Sequence, residues 1–367
     1  MRLAQDWRES HRDLVELASN ELSELTRSFR FEGCPVEGIM VVARLKRFTS
    51  IINKLRRQNA GVYKQDGKSQ GFFPLSTMTD IAGIRVILPH NSMVYPFVEY
   101  LEKAGYFENF EVSSADANLS PMSRRSCKNY MARPKSSGYR SVHFRLKRKM
   151  DQHIQNLEIQ IRGMGQHVWA TALENADNLF GTNIKSELPS ALASQEKDLA
   201  RLFFHIAPAF GGEDDLAIAA LTPESFATVK SLDQQLDFHN VLQSLSGDVA
   251  EVEADSRSIQ SDMPELLVFN TDLQQYYLTD NFVPDALVNE GAIAEFQAQD
   301  VYEKYKRLES YREKENAETV DIVLVFGLNQ QNLAEAFPNY VGDYTKFSRH
   351  YSEILNTGPS TPPDLIG

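Results

Sequence analysis

Arg140-Ser-Val-His-Phe-Arg-Leu-Lys147 and, a short way on, Leu157-Glu-Ile-Gln-Ile-Arg162 decide how this chain folds. Both alternate strictly between apolar and polar side chains, the period-two signature of a half-buried strand. Val142, Phe144 and Leu146 point one way, and Ser141, His143, Arg145 and Lys147 the other. In the second segment Leu157, Ile159 and Ile161 oppose Glu158, Gln160 and Arg162. The polar residues 148–156 are expected to connect the two as a hairpin. Its polar face then gathers His143, Arg145, Glu158, Gln160 and Arg162 on one surface.

Working outward, Met164–Phe180 reads as a helix with Trp169, Leu173, Ala176 and Phe180 at core spacing. Upstream, Ile81–Leu88 and Phe107–Val112 read as strands and Val94–Ala104 as a helix. Residues 113–137 and 59–76 read as loops. Residues 3–29 read as one helix, and Val41–Gln58 as another. That second helix gathers Leu45, Phe48, Ile51, Ile52 and Leu55 on one face and Lys46, Arg47, Ser50, Lys54 and Arg57 on the opposite one, with Arg44 at the border. A face charged with a single sign repels itself and points to a bound anion. Downstream, residues 187–260 read as helical and acidic. Glu265–Asn270 with Gln275–Thr279 reads as a hairpin, Asp300–Lys314 as a helix, Thr319–Phe326 as a strand, and Leu328–Phe337 and Asp343–Leu355 as helices. The expected organisation is a core over residues 1–186, a helical connector over 187–260, and a small β/α module over 261–367.

Composition narrows the function class. The 367 residues hold two cysteines, Cys34 and Cys127, which excludes a disulfide scaffold or a four-cysteine zinc site. No run approaches a membrane span and the N-terminus has no apolar signal core, so a cytoplasmic protein is expected. Net charge is −12, yet residues 1–210 carry 29 basic against 22 acidic side chains, and residues 211–320 carry 7 against 23. One half is suited to polyanions and the other is not.

The densest signal lies at 124–149, with ten Lys or Arg and no acid. Tyr130 and Tyr139 within it are rings suited to stacking on a base. Glu158 adjoins this span in the proposed sheet, and Asp80 stands at the entrance of the strand 81–88. Two carboxylates facing a basic bed are the parts of Mg²⁺-dependent phosphoryl transfer. The metal bridges phosphate oxygens, Lys and Arg neutralise the developing charge, and one carboxylate accepts the proton of an attacking hydroxyl.

Asp80-Ile-Ala-Gly-Ile-Arg85, Pro134-Lys-Ser-Ser-Gly-Tyr-Arg-Ser-Val-His143, Glu158-Ile-Gln-Ile-Arg162 and Gln166-His-Val-Trp-Ala170 together resemble the RelA/SpoT synthetase family. Arg44-Leu-Lys46 with Ser50 and Lys54 resembles that family's ATP-side helix. The resemblance implies a mixed α/β, nucleotidyltransferase-like core, a mixed sheet flanked by helices. It also implies transfer of the β,γ-pyrophosphate of ATP to a ribose 3′-hydroxyl, usually of GDP or GTP, giving (p)ppGpp. Carried over residue by residue, Arg44, Lys46, Ser50, Lys54 and Arg85 belong to the ATP side, and Asp80 and Glu158 would bind Mg²⁺. Glu158 would also act as the base. Lys135, Tyr139, His143, Gln160 and Arg162 would serve the acceptor. Family members often carry Thr where this chain has Gly163.

Val320–Phe326 and Ala336-Phe-Pro-Asn-Tyr340 are similar to the C-terminal segment of fused toxin–antitoxin synthetases of the CapRel type. That likeness implies a regulatory module around Phe337 and Tyr340, a phage or other protein trigger, and the tRNA 3′ end as acceptor. Arg124, Arg125, Arg145, Lys147, Arg148 and Lys149 would then be phosphate contacts outside the pocket. A nucleotide-binding sensor without turnover is the rival reading, disfavoured by two acids set among cations.

Overall fold

The computed structural model describes residues 2–46, 48–60, 73–151, 153–179, 184, 194–211, 221–245, 265–270, 275–278, 300–315, 320–326 and 344–359. In chain order the elements are α1 (Arg2–Glu9), α2 (Arg12–Ser28), β1 (Met40–Leu45), α3 (Phe48–Ala60), β2 (Ala82–Leu88), α4 (Val94–Lys103), β3 (Cys127–Asn129), β4 (Val142–Met150), β5 (His153–Gly163) and α5 (Met164–Leu179). There follow α6 (Ser194–Ile206), α7 (Pro223–Leu236), α8 (Phe238–Leu245), β6 (Glu265–Asn270), β7 (Gln275–Leu278), α9 (Val301–Glu315), β8 (Val320–Phe326) and α10 (Thr345–Thr357).

Among the described residues one eight-stranded sheet runs β3-β4-β5-β2-β1-β8-β6-β7. It is mixed: β2 and β5 pair parallel, and the other neighbours are antiparallel. The expected hairpin is the β4–β5 pair, with Val142 opposite Ile161 and Arg145 opposite Glu158. Its strands run longer than their alternation suggested, to Met150 and from His153, so the connection is far shorter than residues 148–156. Asp151 takes the turn at φ +50.

One face of the sheet is covered by α2, α4 and α9. Leu14, Ala18, Leu22, Phe97, Leu101 and Tyr305 bury there against Ile84, Phe144, Ile159 and Leu324. On the other side α5 leads into a second core shared with α6, α7, α8 and α10, where Trp169, Phe203, Phe238, Phe347 and Tyr351 pack. Trp169 is fully buried and donates Nε1–H to the Phe203 carbonyl at 3.1 Å. His167 is fully buried too, so both belong to the interior rather than to a ligand site.

Four expectations are corrected. The helix expected at Val41–Gln58 begins only at Phe48, and residues 40–45 form β1. Met40, Val41, Val42, Ala43 and Leu45 are all buried and Arg44 is half-buried, so the run is apolar on both faces and carries no period of two to read. The helix expected at 3–29 is broken near Ser10. There Ser10 Oγ donates to the Trp7 carbonyl at 2.8 Å, and His11 Nδ1 reaches the same oxygen at 2.7 Å. The strand expected at Phe107–Val112 is a 3₁₀ turn at Tyr106–Asn109, entered through Gly105 at φ +74. Tyr106, Phe107 and Phe110 turn inward onto one another and Phe144. Lastly, the described strands of 261–367 form no sheet of their own. β8 pairs antiparallel with β1, Val325 opposite Arg44, and β6 and β7 continue the same sheet outward. The helix expected at Leu328–Phe337, Phe180, and the residues Phe337 and Tyr340 lie outside the described residues.

Candidate active site

The register of four strands sets side chains in rows on the face opposite α2 and α4. One row runs Arg145, Glu158, Gly83, Arg44 across β4, β5, β2 and β1. The next, two residues along, runs His143, Gln160, Arg85, Val42. Gly83 leaves a gap in the middle of the first row: a Cβ built there would meet only the Arg44 carbonyl, at 3.9 Å. Above these rows lies a cavity of about 310 Å³. Its walls are Arg44, Lys46, Asp80, Arg85, His143, Arg145, Glu158, Gln160 and Arg162, with Ala170, Leu173 and Glu174 of α5 and Tyr130, Lys135, Ser137 and Tyr139 of the preceding loop.

Asp80 is clamped by two lysines. Lys46 Nζ donates to Oδ2 at 3.0 Å, and Lys54 Nζ, from α3, to Oδ1 at 2.7 Å. Burial pushes this carboxyl up, but the two ammonium groups more than reverse that and hold it below its ordinary 3.8. Burial lowers Lys46, with Asp80 opposing. The backbone fixes the clamp as well, since Lys46 N–H donates to the Ile81 carbonyl at 2.8 Å.

Glu158 sits in a second polar chain. Gln160 Nε2 donates to Oε2 at 2.9 Å, and His143 Nδ1 approaches Oε1 at 3.4 Å. Tyr139 Oη and His143 Nε2 are 2.8 Å apart. Burial lowers the His143 pKa below 6.5, so the imidazole is neutral at pH 7. A neutral ring that donates through Nδ1 accepts the Tyr139 hydroxyl through Nε2, and the contact with Glu158 is a hydrogen bond rather than an ion pair. Burial raises Glu158, and the bonds from His143 and Gln160 outweigh it, leaving the carboxyl below 4.5 and ionised. The Asp80 charge opposes this lowering, which places both acids within one field.

Cations line the rest. Arg85 is pushed down to about 9, by burial first and then by Arg162 and Arg44. Like charges crowded in this way gain most from a polyanion that neutralises them. Lys135 Nζ lies 4.8 Å from the ring centres of both Tyr130 and Tyr139, a cation–π seat. Arg162 is buried against His167.

The structure thus brings ten of the residues expected at the pocket to one cavity: Arg44, Lys46, Asp80, Arg85, Lys135, Tyr139, His143, Glu158, Gln160 and Arg162; Arg145, expected outside the pocket, lines it as well. Lys54 reaches it through Asp80, while Ser50 lies on α3 off the cavity wall. Arg124, Arg125, Lys147 and Lys149 lie outside it. Arg148, expected as a tRNA phosphate contact outside the pocket, is corrected. It projects to the α2 face, where it grips Glu21 through two bonds of 2.8 and 3.0 Å. Its alternation with Val142, Phe144 and Leu146 already carried that information. The site reading lacked Gly83, Ser137 and Glu174. Glu174, the one acid in the Ala- and Leu-rich middle of α5, was the available signal. Among the described residues no three His, Cys, Asp or Glu side chains cluster to cage a metal. Asp80 and Glu158 are two hard oxygen donors, the number that Mg²⁺ takes from protein when phosphates complete its shell, so the donor set fits that ion. No helix of the described residues is long and apolar enough to cross a membrane.

Residues 43–177 match the family model described as the region found in RelA/SpoT proteins. The GTP pyrophosphokinase YwaC of Bacillus subtilis is 25% identical over 45% of this chain and 68% of its own length. The GTP pyrophosphokinase YjbM of the same organism is 25% identical over 52% and 81%. A probable chloroplastic GTP diphosphokinase of Arabidopsis thaliana, CRSH, is 33% identical over 40% of this chain and 22% of its own. Among solved structures, small alarmone synthetase 1 of Bacillus subtilis bound to its product pppGpp is 19% identical, covers 66% of this chain and 100% of its own, and has a TM-score of 0.38. A GTP pyrophosphokinase family protein of Streptococcus pneumoniae is 18% identical over 66% and 96%, with the same TM-score.

Proposed function

We propose that this chain, whose residues 43–177 carry a RelA/SpoT-type region, is an ATP-dependent pyrophosphokinase. The observation that carries the proposal is the pairing of an ionised, hydrogen-bonded Glu158 with a lysine-clamped Asp80 in one cation-lined cavity. The acceptor's 3′-oxygen attacks the β-phosphorus of ATP, the bond from that phosphorus to the α,β-bridging oxygen breaks, and AMP leaves. Glu158 takes the hydroxyl proton, and its low pKa keeps it free to do so at neutral pH. Arg44, Lys46 and Arg85 offset charge on the transferred group, with Lys54 holding Asp80 in place. Asp80 and Glu158 would hold Mg²⁺, which supplies charge neutralisation at the phosphate oxygens. Tyr139 and Tyr130 offer a face to the acceptor base.

GTP is the acceptor that the names of the relatives support, and GDP offers the same base and ribose 3′-hydroxyl. The tRNA 3′ end is the second reading. It is favoured by Arg145 on the cavity wall and by Lys147 and Lys149, which continue outward along the same face of β4. A protein trigger and a role in phage defence belong to that second reading. The Glu158→Gln variant should keep its fold and lose turnover by about a thousandfold or more. Supplying GDP, GTP and tRNA together and following the label assigns the acceptor. Undiminished turnover in the Glu158→Gln variant would refute the role given to Glu158.

A further inference from the structure

The clamp on Asp80 rests on a small core of its own, separate from the two large ones. Phe48 and Ile51 of α3 bury there with Ala4, Met78 and Ile81, the neighbour of Asp80. The first residue of α3 meets a carboxylate from far along the chain: Phe48 N–H donates to Oε1 of Glu309, on α9, at 3.3 Å. Tyr305 Oη donates to the same oxygen at 2.9 Å, and Arg8 of α1 binds Oε2. Arg8 is 1% exposed, with its guanidinium 4.9 Å from the Tyr305 ring centre. The first turn of α3 contains no acid, so Glu309 supplies from outside what the helix lacks, a negative charge and an acceptor at its N-terminus.

From this we infer that Glu309 is a positioning residue for the ATP side of the site. It fixes the N-terminus of α3, and with it Lys54, which lies about one and a half turns further along the helix and holds Asp80 through its ammonium group. The inference rests on the pyrophosphokinase reading for the identity of the ligand, and not for the contact itself. It also ties α9 to the chemistry, so that a helix contributed after residue 264 supports a site built before residue 180.

Removing Glu309 alone strands the buried Arg8, so the informative variant replaces the whole network by apolar groups, Arg8→Met/Tyr305→Phe/Glu309→Leu. Its readouts are thermal midpoint, affinity for an ATP analogue with a methylene bridge between the α- and β-phosphates, and KM for ATP and for acceptor. The expected result is a folded protein whose ATP-analogue affinity falls about threefold to tenfold, the scale of a lost helix cap. KM for ATP should rise in step, and KM for acceptor should not move. Unchanged ATP affinity, equal losses for both substrates, or a variant that no longer folds would each overturn the positioning role. Absence of ATP-analogue binding in the unaltered protein would strike the pyrophosphokinase reading instead, so the two failures are separable.

Discussion

Burial lowers the pKa of four described histidines, His11, His143, His205 and His350, and the first two of these are the buried ones. His11 is fully buried, accepts the Asn156 N–H through Nε2 at 3.2 Å, and has Nδ1 at 2.7 Å from a carbonyl oxygen, so its ring is held neutral. His143 is neutral for the reason given above, and burial lowers both pKa values below 6.5. A histidine that resists protonation only in the folded state contributes stability above its unfolded pKa, and that contribution is lost as pH falls below 6.5. Asp80 and Glu158 act in a lower window. Their folded pKa values lie below 3.8 and 4.5, so their contribution is present above those values and lost as pH falls through the folded ones. Thermal midpoints measured against pH should therefore decline in two stages, and His143→Gln should shrink the first; a single decline below pH 4 would contradict this. Gly83 allows a different test, because the space above it is open. Gly83→Val suits a strand and should leave the thermal midpoint near that of the unaltered chain. By filling the gap between Glu158 and Arg44 it should lower turnover by about a hundredfold, the penalty of a ligand displaced by an ångström.

At the scale of elements, Gly163 ends β5 where α5 begins. A Cβ there would fall 2.6 Å from the backbone nitrogen of Asn91 and 2.3 Å from its Oδ1. That crowding accounts for glycine where the resembling family often has threonine. Gly163→Ala should cost about 1–3 kcal/mol in denaturant unfolding, the range for overpacking a closed site. A variant as stable as the parent would mean that the Asn91 turn yields freely. Burial also explains why some elements could be read from the sequence and others not. β4 and β5 have one face in the core and one lining a cavity, so apolar and polar residues alternate and the pattern is plain. β1 also lines the cavity, but its Met-Val-Val-Ala run is apolar on both faces and so has no period, and the helical period of Phe48, Ile51, Ile52 and Leu55 spilled over it. Residues 107–112 misled for another reason: aromatic side chains mimic a strand's composition but here fill an irregular turn. The site survived these errors because most of its residues were carried over from the family resemblance motif by motif, and the strand alternation that sets His143, Glu158 and Gln160 on one face agrees with it. Arg44 keeps its place beside Gly83 on a strand rather than at a helix border. The Glu309 contact could not be foreseen, since a helix cap supplied from 261 residues away leaves no local trace.

Over the whole molecule, the charge asymmetry and the sheet belong to one picture. The acidic second half adds β8, β6 and β7 to the edge that β1 would otherwise expose, and α9 covers the sheet beside α2. An unpaired β1 would offer its backbone to other chains. Deleting residues 261–367 should therefore lower the thermal midpoint and promote aggregation, checked by light scattering; a soluble, equally stable fragment would mean that the core completes itself. Transfer of an intact pyrophosphoryl group, rather than of the γ-phosphoryl group alone, is decided by the position of isotopic label. With ATP labelled at both the β- and γ-phosphorus, Mg²⁺ and a mixture of GDP, GTP and tRNA, the expected products are AMP and, in equal amount, an acceptor carrying both labels on its 3′-oxygen. Formation of ADP with only the γ-label transferred, or no nucleotide turnover with any acceptor, would contradict such transfer.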